Sequence, residues 1–115
     1  MSENTFVRVT PDAAPPVTDR PPPERLVSGD PVFTSWDIEA QDGLYAGIWQ
    51  ATPGAWRIAY VEWEYCRILA GYSVLTEEDG PRHELRAGDS FLIRPGFRGV
   101  WEVIETTRKD YVICG

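Results

Sequence analysis

The sequence contains few of the residues that bind metals or form disulfides. There is one histidine, His83, and there are two cysteines, Cys66 and Cys114, among 115 residues. A single histidine excludes every metal site that needs two, such as Cys2His2 zinc, the HExxH motif and the 2-His-1-carboxylate iron site. Two cysteines do not make a disulfide framework, so we expect free thiols and a cytoplasmic protein.

Basic residues are scarce as well. Lys plus Arg number 11 against 18 for Asp plus Glu, which gives a formal net charge of −7. Nucleic acids and anionic lipid surfaces both attract basic proteins, so we expect neither as a partner. No apolar run approaches the roughly 20 residues of a membrane span. The first residues also lack the basic and apolar regions of a signal peptide.

Prolines are concentrated at the N-terminal end. Seven of the ten lie within residues 1–31, which we interpret as an extended Pro-rich arm. Because Pro fixes φ and removes a backbone donor, the segment Pro11–Pro31 is predicted to contain no helix and no central strand. The preceding Thr5–Thr10 alternates as a short strand does. The arm is expected to pack either on a partner subunit, as part of a homodimer, or on its own domain.

Residues 32–115 are predicted to form a single all-β domain. No segment keeps an apolar pattern of helical period over three turns. Short β-rich runs alternate instead with turn signals such as Asp42-Gly43 and Pro95-Gly96, which is typical of a sandwich or barrel. The predicted strands are Tyr45–Ala51, Trp56–Glu62, Tyr65–Leu69, Ser73–Glu77, His83–Leu85, Ser90–Ile93, Val100–Ile104 and Tyr111–Cys114.

Two segments resemble the paired motifs of a known superfamily. In the first, Glu64 is followed by six residues and then Gly71; the second reads GDSFLIRPGFRGVWEV from Gly88 to Val103. In order and spacing the pair resembles the two cupin motifs, in particular those of small single-domain cupins grouped with (S)-ureidoglycine aminohydrolase. The resemblance covers about residues 44–113. It implies a cupin-type jelly-roll β-barrel, that is, a double-stranded β-helix.

The same resemblance implies where a metal would bind in such a barrel. Metal-binding cupins use two His and one Glu from the first motif and one His from the second. Here the Glu position is Glu64, and the second-motif His position falls on Gly99. The remaining two positions fall on Ile58 and Tyr60, or on Arg57 and Ala59, depending on one residue of loop spacing. Since none of these supplies a nitrogen ligand, we predict no metal and no other cofactor.

Strand alternation predicts which side chains share the barrel interior. If Glu64 points inward, Cys66 and Ile68 do so too, whereas Tyr65, Arg67 and Leu69 face outward. By the same rule the interior receives Gly99, Trp101 and Val103, and the last strand adds Lys109 and Tyr111. A shift of one residue before Glu64 exchanges Tyr60 for Arg57 in the interior, so both stay open.

Glu64 is the predicted catalytic residue. A carboxyl among Trp and Tyr side chains is expected to have its charged form destabilised, which would suit a general acid or base. The alternative is a structural Glu that is hydrogen-bonded to Tyr60 or paired with Arg57. The predicted ligand-binding residues are Tyr60, Arg57, Trp101, Cys66, Trp49 and Lys109.

Each group of predicted ligand contacts has a competing structural interpretation. Arg57 or Lys109 would hold an anionic group of the ligand, but Arg is also common on solvated strand faces. Trp49 and Trp101 would stack on the ligand, but Trp also fills cores. Cys66 is interpreted as a small hydrophobe rather than a nucleophile, since activation needs a basic or cationic neighbour and the only histidine, His83, is far away in sequence.

Three functions therefore stay open. By resemblance, the first is an enzyme that acts on a small ureido- or amino-acid-like metabolite. The second is a module that binds a small molecule without turnover, and the third is a structural dimer whose lumen is filled by its own side chains. A cavity of about 300 Å3 or more would favour the first two.

Overall fold

The computed structural model describes residues 5–115, and almost all of its regular structure is strand. Within those residues, no helix has the length and apolarity needed to cross a bilayer. The expected all-β class is confirmed. In chain order the strands are β1 Pro16–Asp19, β2 Leu26–Gly29, β3 Phe33–Gln41, β4 Leu44–Ala51, β5 Gly54–Ala59, β6 Trp63–Glu77, β7 Arg82–Arg86, β8 Ser90–Ile93 and β9 Arg98–Cys114.

Two long strands, β6 and β9, run through both faces of the molecule. Residues 63–68 of β6 pair with residues 109–114 of β9, and residues 72–77 pair with residues 99–105. Between these stretches the register shifts at Ile68, Ala70 and Tyr72, and such irregularities bend a strand. One face has the order β1-β3-β4-β9-β6-β8, and the other has the order β2-β5-β9-β6-β7. This arrangement confirms the jelly roll.

The two faces enclose one core. Aromatic rings join them, with ring centroids 4.7 Å apart for Phe33 and Trp56 and 5.5 Å apart for Trp49 and Trp101. The predicted alternation along β6 is confirmed, since Glu64, Cys66 and Ile68 are buried and Arg67 and Leu69 are exposed. The buried cluster contains Ala51, Trp56, Ile68, Leu75, Leu85, Ile93, Trp101 and Val103.

Strand boundaries differ from the prediction where strands bend. The predicted strands 65–69 and 73–77 are both parts of β6, and 100–104 and 111–114 are both parts of β9. Strand β3 was not predicted. The hairpin turn at Asp42-Gly43 is present, with φ of 52° and 78° respectively, which is the left-handed pair that a tight two-residue hairpin requires.

The Pro-rich arm packs on its own domain along residues 16–29. Strand β1 pairs with β3 and β2 pairs with β5, each at the edge of a face, where a missing backbone donor costs little. The predicted strand Thr5–Thr10 is wrong, because Thr10 N donates to the Arg8 carbonyl in a local turn and not to a neighbouring strand. Pro11–Ala13 forms one 3-10 turn, which Pro tolerates at its first position.

Candidate functional site

A cavity of about 340 Å3 lies between the two faces and is called the lumen below. Its wall combines aromatic rings with a few polar groups, as small-molecule sites do. The lumen is therefore not filled by its own side chains. It is lined by Phe33, Ser35, Asp37, Tyr45, Trp49, Trp56, Ile58, Tyr60, Glu64, Trp101, Lys109, Tyr111 and Ile113.

A buried ion pair forms the polar centre of this wall. Lys109 Nζ lies 3.0 Å from Glu64 Oε2, and both side chains are almost fully buried. Tyr60 Oη donates a hydrogen bond to the other carboxylate oxygen of Glu64. The hydrogen bond from Tyr60 that was expected of a structural Glu64 is therefore present. The charge partner of Glu64, however, is Lys109 and not Arg57. Because Lys109 is so close, the carboxylate is not left uncompensated among aromatic rings.

Lys109 reaches Glu64 through the strand register. On the interior face of β9, it lies opposite Trp49 of β4 and Ile68 of β6. Its ammonium is 4.8 Å from the centroid of the Trp49 ring and 4.7 Å from that of Trp101, which are cation–π distances. Burial alone would lower the pKa of Lys109, but the groups around it raise it, and among these the charged Glu64 carboxylate also accepts its hydrogen bond. The lysine is therefore charged.

Tyr60 and Cys66 are both neutral at physiological pH. Burial raises the pKa of the Tyr60 hydroxyl, and it raises the pKa of the Cys66 thiol to about 12. Cys66 is fully buried, lies behind the wall of the lumen and contacts Lys109 Nζ at 3.4 Å. The predicted ligand contact by Cys66 is thus not made in the lumen, and a neutral, inaccessible thiol fits the interpretation as a small hydrophobe.

A second polar pair lies on the first face of the lumen. Tyr111 Oη donates to Asp37 Oδ1 at 2.7 Å, across Gly47, which pairs with both residues in the register. An added Cβ at Gly47 would overlap the Trp36 carbonyl oxygen and lie 3.1 Å from Tyr111 Oη, so the glycine leaves room for this bond. Asp37 was not among the predicted ligand contacts. Alternation along β3, which places Phe33, Ser35 and Asp37 on one side of the strand, is the pattern that could have predicted it.

The structure decides between the two alignments of the first motif. Ile58 and Tyr60 line the lumen, whereas Arg57 pairs with Val100 and is exposed. Arg57 therefore does not line this cavity, because neighbouring side chains in β5 point to opposite faces, and ligand binding by Arg57 stays a prediction. The predicted residues Glu64, Tyr60, Trp101, Trp49 and Lys109 all line the lumen.

The residues around Glu64 do not fit the metal that the cupin fold implies. Ile58 has no donor atom, and an added Cβ at Gly99 would overlap the carbonyl oxygen of Thr76, so this position has no room for a ligating side chain. Lys109 already compensates Glu64. Over residues 5–115, no three His, Cys, Asp or Glu side chains are grouped so that they could hold a metal ion.

The two bent faces, the shared long strands and the central lumen define a cupin. Residues 38–111 match the family model described as the EutQ-like cupin domain, and the chain belongs to this family. No curated protein matches the chain in sequence.

Solved structures show the same fold. A DUF861-family protein of unknown function from Pseudomonas syringae pv. tomato superimposes with a TM-score of 0.77 at 24% identity, over 85% of this chain and 43% of its own length. The EutQ protein of Clostridium difficile gives 0.66 at 18%, over 94% and 80% respectively. A DUF861-family protein from Thermotoga maritima gives 0.54 at 34%, over 56% and 73%. The chain thus spans less than half the length of the Pseudomonas protein.

Proposed function

We propose that this chain binds a small, uncharged metabolite with an amide or ureido group in the lumen. The observation that supports it most is the Glu64–Lys109 ion pair, which is buried from the surface and lines a cavity of about 340 Å3. An amide or ureido group presents a carbonyl acceptor beside N–H donors. The pair presents the complementary arrangement, an ammonium donor beside a carboxylate acceptor.

A donor on the lumen wall is left for a carbonyl oxygen. The Lys109 ammonium has three N–H groups, and within residues 5–115 its oxygen and sulfur acceptors are Glu64 and Cys66 alone. Trp101 Nε1 also has no hydrogen-bond partner in the described part of the chain, but this atom is itself buried away from the lumen. Since an unpaired buried donor is costly, a ligand oxygen would stabilise the remaining N–H of Lys109.

The charge of the lumen favours a neutral ligand over an anion. Among residues 5–115, the lining contains two carboxylates, Asp37 and Glu64, one ammonium, and no arginine. The resemblance to ureidoglycine aminohydrolase-type cupins implies a ureido-bearing compound, and a ureido group is neutral. A carboxylate on the same compound would find no arginine in this wall to hold it.

Binding without turnover is the form of the proposal that the contacts favour. If Glu64 were a general base, it would have to take up the substrate proton and give up its ion pair with Lys109, whereas accepting a hydrogen bond from a ligand N–H leaves that pair intact. Here Tyr60 Oη donates to one oxygen and Lys109 Nζ to the other. Turnover that is lost in Glu64→Gln, with ligand affinity retained, would instead establish an enzyme with Glu64 as its base.

The decisive experiment compares isosteric ligands by calorimetry. Acetamide is paired with acetate, and ureidoacetamide with ureidoacetate, so that each pair differs mainly in charge. We expect the amides to bind at least about tenfold more tightly than the acids, which corresponds to about 1.4 kcal/mol. Tighter binding of the acids, or no binding of any of the four at millimolar concentration, would contradict the proposal.

Two variants show where binding takes place. Glu64→Gln replaces one carboxylate oxygen in the lumen wall with an NH2 group. We expect this substitution to weaken binding of acetamide and ureidoacetamide at least about tenfold. Arg57→Gln is the matched control on the outer surface of β5, and we expect no change in affinity. Equal effects of the two substitutions would place the ligand outside the lumen.

We also propose that the chain forms a homodimer through its N-terminal segment, residues 5–10, in a reducing cytoplasm. This segment forms no strand and pairs with none in its own domain, and Phe6, Val7 and Val9 are strongly exposed. Apolar side chains clustered in an extended segment often mark a protein interface. Both cysteines are free thiols, which fits a reducing compartment.

A further inference from the structure

The chain's only lysine, Lys109, lies buried in the centre of the molecule. Lysine is strongly hydrated and is almost never fully buried without a partner. The burial of this lysine therefore requires partners that compensate its charge. No arginine lines the cavity within the described chain, so Lys109 is the basic side chain of its wall.

The surroundings of the ammonium are those of a site for an organic cation. Glu64 supplies one carboxylate at 3.0 Å, and the indole rings of Trp49 and Trp101 lie with their centroids at 4.8 and 4.7 Å. A carboxylate together with aromatic rings is how proteins bind ammonium groups. We refer to Glu64, Trp49 and Trp101 as the cation cage.

We propose that the cation cage is a built-in site for a primary alkylammonium ion and that Lys109 is its covalently attached occupant. In this chain, the ammonium takes the position beside Glu64 that a metal ion would otherwise need. The inference goes beyond the proposed function, because it concerns the preference of the cage itself and holds whichever metabolite enters the lumen.

Charge and coordination both favour a monovalent organic cation in the cage. One ammonium balances the single carboxylate of Glu64, whereas a divalent ion would leave a net positive charge in a poorly hydrated site. Hard divalent ions also need about six oxygen ligands, and Ile58 and Gly99 supply no side-chain donor here. The indole faces, by contrast, attract an organic cation without coordinating it.

This assignment predicts a chemical rescue. Lys109→Ala removes three methylenes and the ammonium, which together have the size and charge of n-propylammonium. The substitution leaves a cavity and an unpaired buried carboxylate, so we expect a melting temperature lower by roughly 10 °C or more. Propylammonium chloride at about 50 mM should then raise the melting temperature of this variant by at least about 4 °C more than that of the wild type.

Three controls isolate the cation. 1-Propanol at the same concentration has a similar shape without the charge and should give no rescue. Sodium chloride at equal ionic strength should give none either. Lys109→Met keeps the volume of the side chain filled, so it should be destabilised but insensitive to propylammonium. Rescue by 1-propanol to the same extent as by propylammonium would overturn the proposal, because the site would then be an apolar cavity.

A second measurement applies if Lys109→Ala does not fold. The double variant Glu64→Gln, Lys109→Met removes both charges at once and should melt at a higher temperature than Lys109→Met alone. Strictly additive losses would show that the two groups are not coupled and would overturn the proposal. Stoichiometric binding of Zn2+ or Co2+ by the wild type at Glu64, lost in Glu64→Gln, would overturn it as well.

Discussion

The hydroxyl oxygens of Ser73 and Thr107 lie 2.6 Å apart, fully buried, where β6 and β9 pass from one face to the other. Thr107 Oγ1 also donates to the Glu105 carbonyl at 2.8 Å, so Ser73 is the donor to Thr107. The ladder between the two strands is irregular at this point. Side-chain hydrogen bonds therefore connect the strands where the backbone register shifts.

Thr107→Val should destabilise the fold by about 1–3 kcal/mol, because it leaves the Ser73 hydroxyl buried without its acceptor. Urea unfolding measures the change. Thr106→Val is the matched control, since Thr106 is the exposed neighbour, and its effect should stay within about 0.5 kcal/mol. Equal losses in the two variants would show that strand propensity, and not the buried hydroxyl pair, determines the result.

Gly71 and Gly88 separate the effect of backbone conformation from that of space. Both have left-handed φ, at 92° and 97°. An added Cβ at Gly71 would overlap the backbone of Thr106 and Thr107, whereas at Gly88 nothing lies within 4 Å. Gly88→Ala should therefore cost only about 1 kcal/mol of conformational strain. Gly71→Ala should cost clearly more, since β9 must also move away from the bend. Similar losses in urea unfolding would contradict this role of Gly71 at the bend.

Local sequence patterns predict much of this molecule. Alternation from Glu64 correctly predicts the buried and exposed sides of β6, and Asp42-Gly43 correctly predicts a hairpin turn. The same reasoning cannot find a bend that keeps a strand continuous, so β6 and β9 are each predicted as two strands. It also cannot decide which of Arg57 and Tyr60 points into the barrel, because one residue of loop spacing reverses the direction of every side chain in the strand.

The ion pair at the centre of the lumen is harder to predict than the fold. Glu64 and Lys109 are 45 positions apart, and they meet because β6 and β9 pair antiparallel with their interior faces aligned. The sequence indicated that both side chains point inward. It gave no signal for the register that brings their charged groups to 3.0 Å, since register between distant strands depends on packing across the whole sheet.

The Cys66 thiol makes stability depend on alkaline pH. Burial raises its pKa from 9.0 to about 12 in the folded protein. Above pH 9 the unfolded chain loses this proton while the folded chain keeps it, so stability that is present below pH 9 is lost between pH 9 and 12. The free energy of unfolding should fall by up to about 1.4 kcal/mol per pH unit from this group.

Urea unfolding from pH 8 to 11 tests this prediction in the wild type and in Cys66→Ala. Lys109, Tyr60 and Cys114 are common to both proteins, so the difference between their slopes reports on Cys66. The wild type should lose stability more steeply. Parallel slopes would mean that the thiol ionises as easily in the folded protein as in the unfolded chain.

The N-terminal segment supplies the test of self-association. Removing all of residues 1–30 would also remove β1 and β2, which pair with β3 and β5, and would confuse loss of a dimer with loss of the fold. Substitution within the segment avoids this problem. The double variant Phe6→Ser, Val9→Ser changes two exposed side chains, which are 74% and 49% accessible. At concentrations low enough to keep the protein monomeric, its melting temperature should stay within about 3 °C of that of the wild type.

Sedimentation velocity over a hundredfold range of concentration then measures the assembly. We expect the wild type to sediment as a dimer and the double variant to dissociate at a concentration at least about tenfold higher, because burying these two apolar side chains contributes more than about 1.4 kcal/mol to association. Val27→Ser is the matched control, since Val27 is an exposed apolar residue of the arm outside the segment. A dimer equally stable in all three proteins would place the contact on another surface, and a monomeric wild type would remove the dimer altogether.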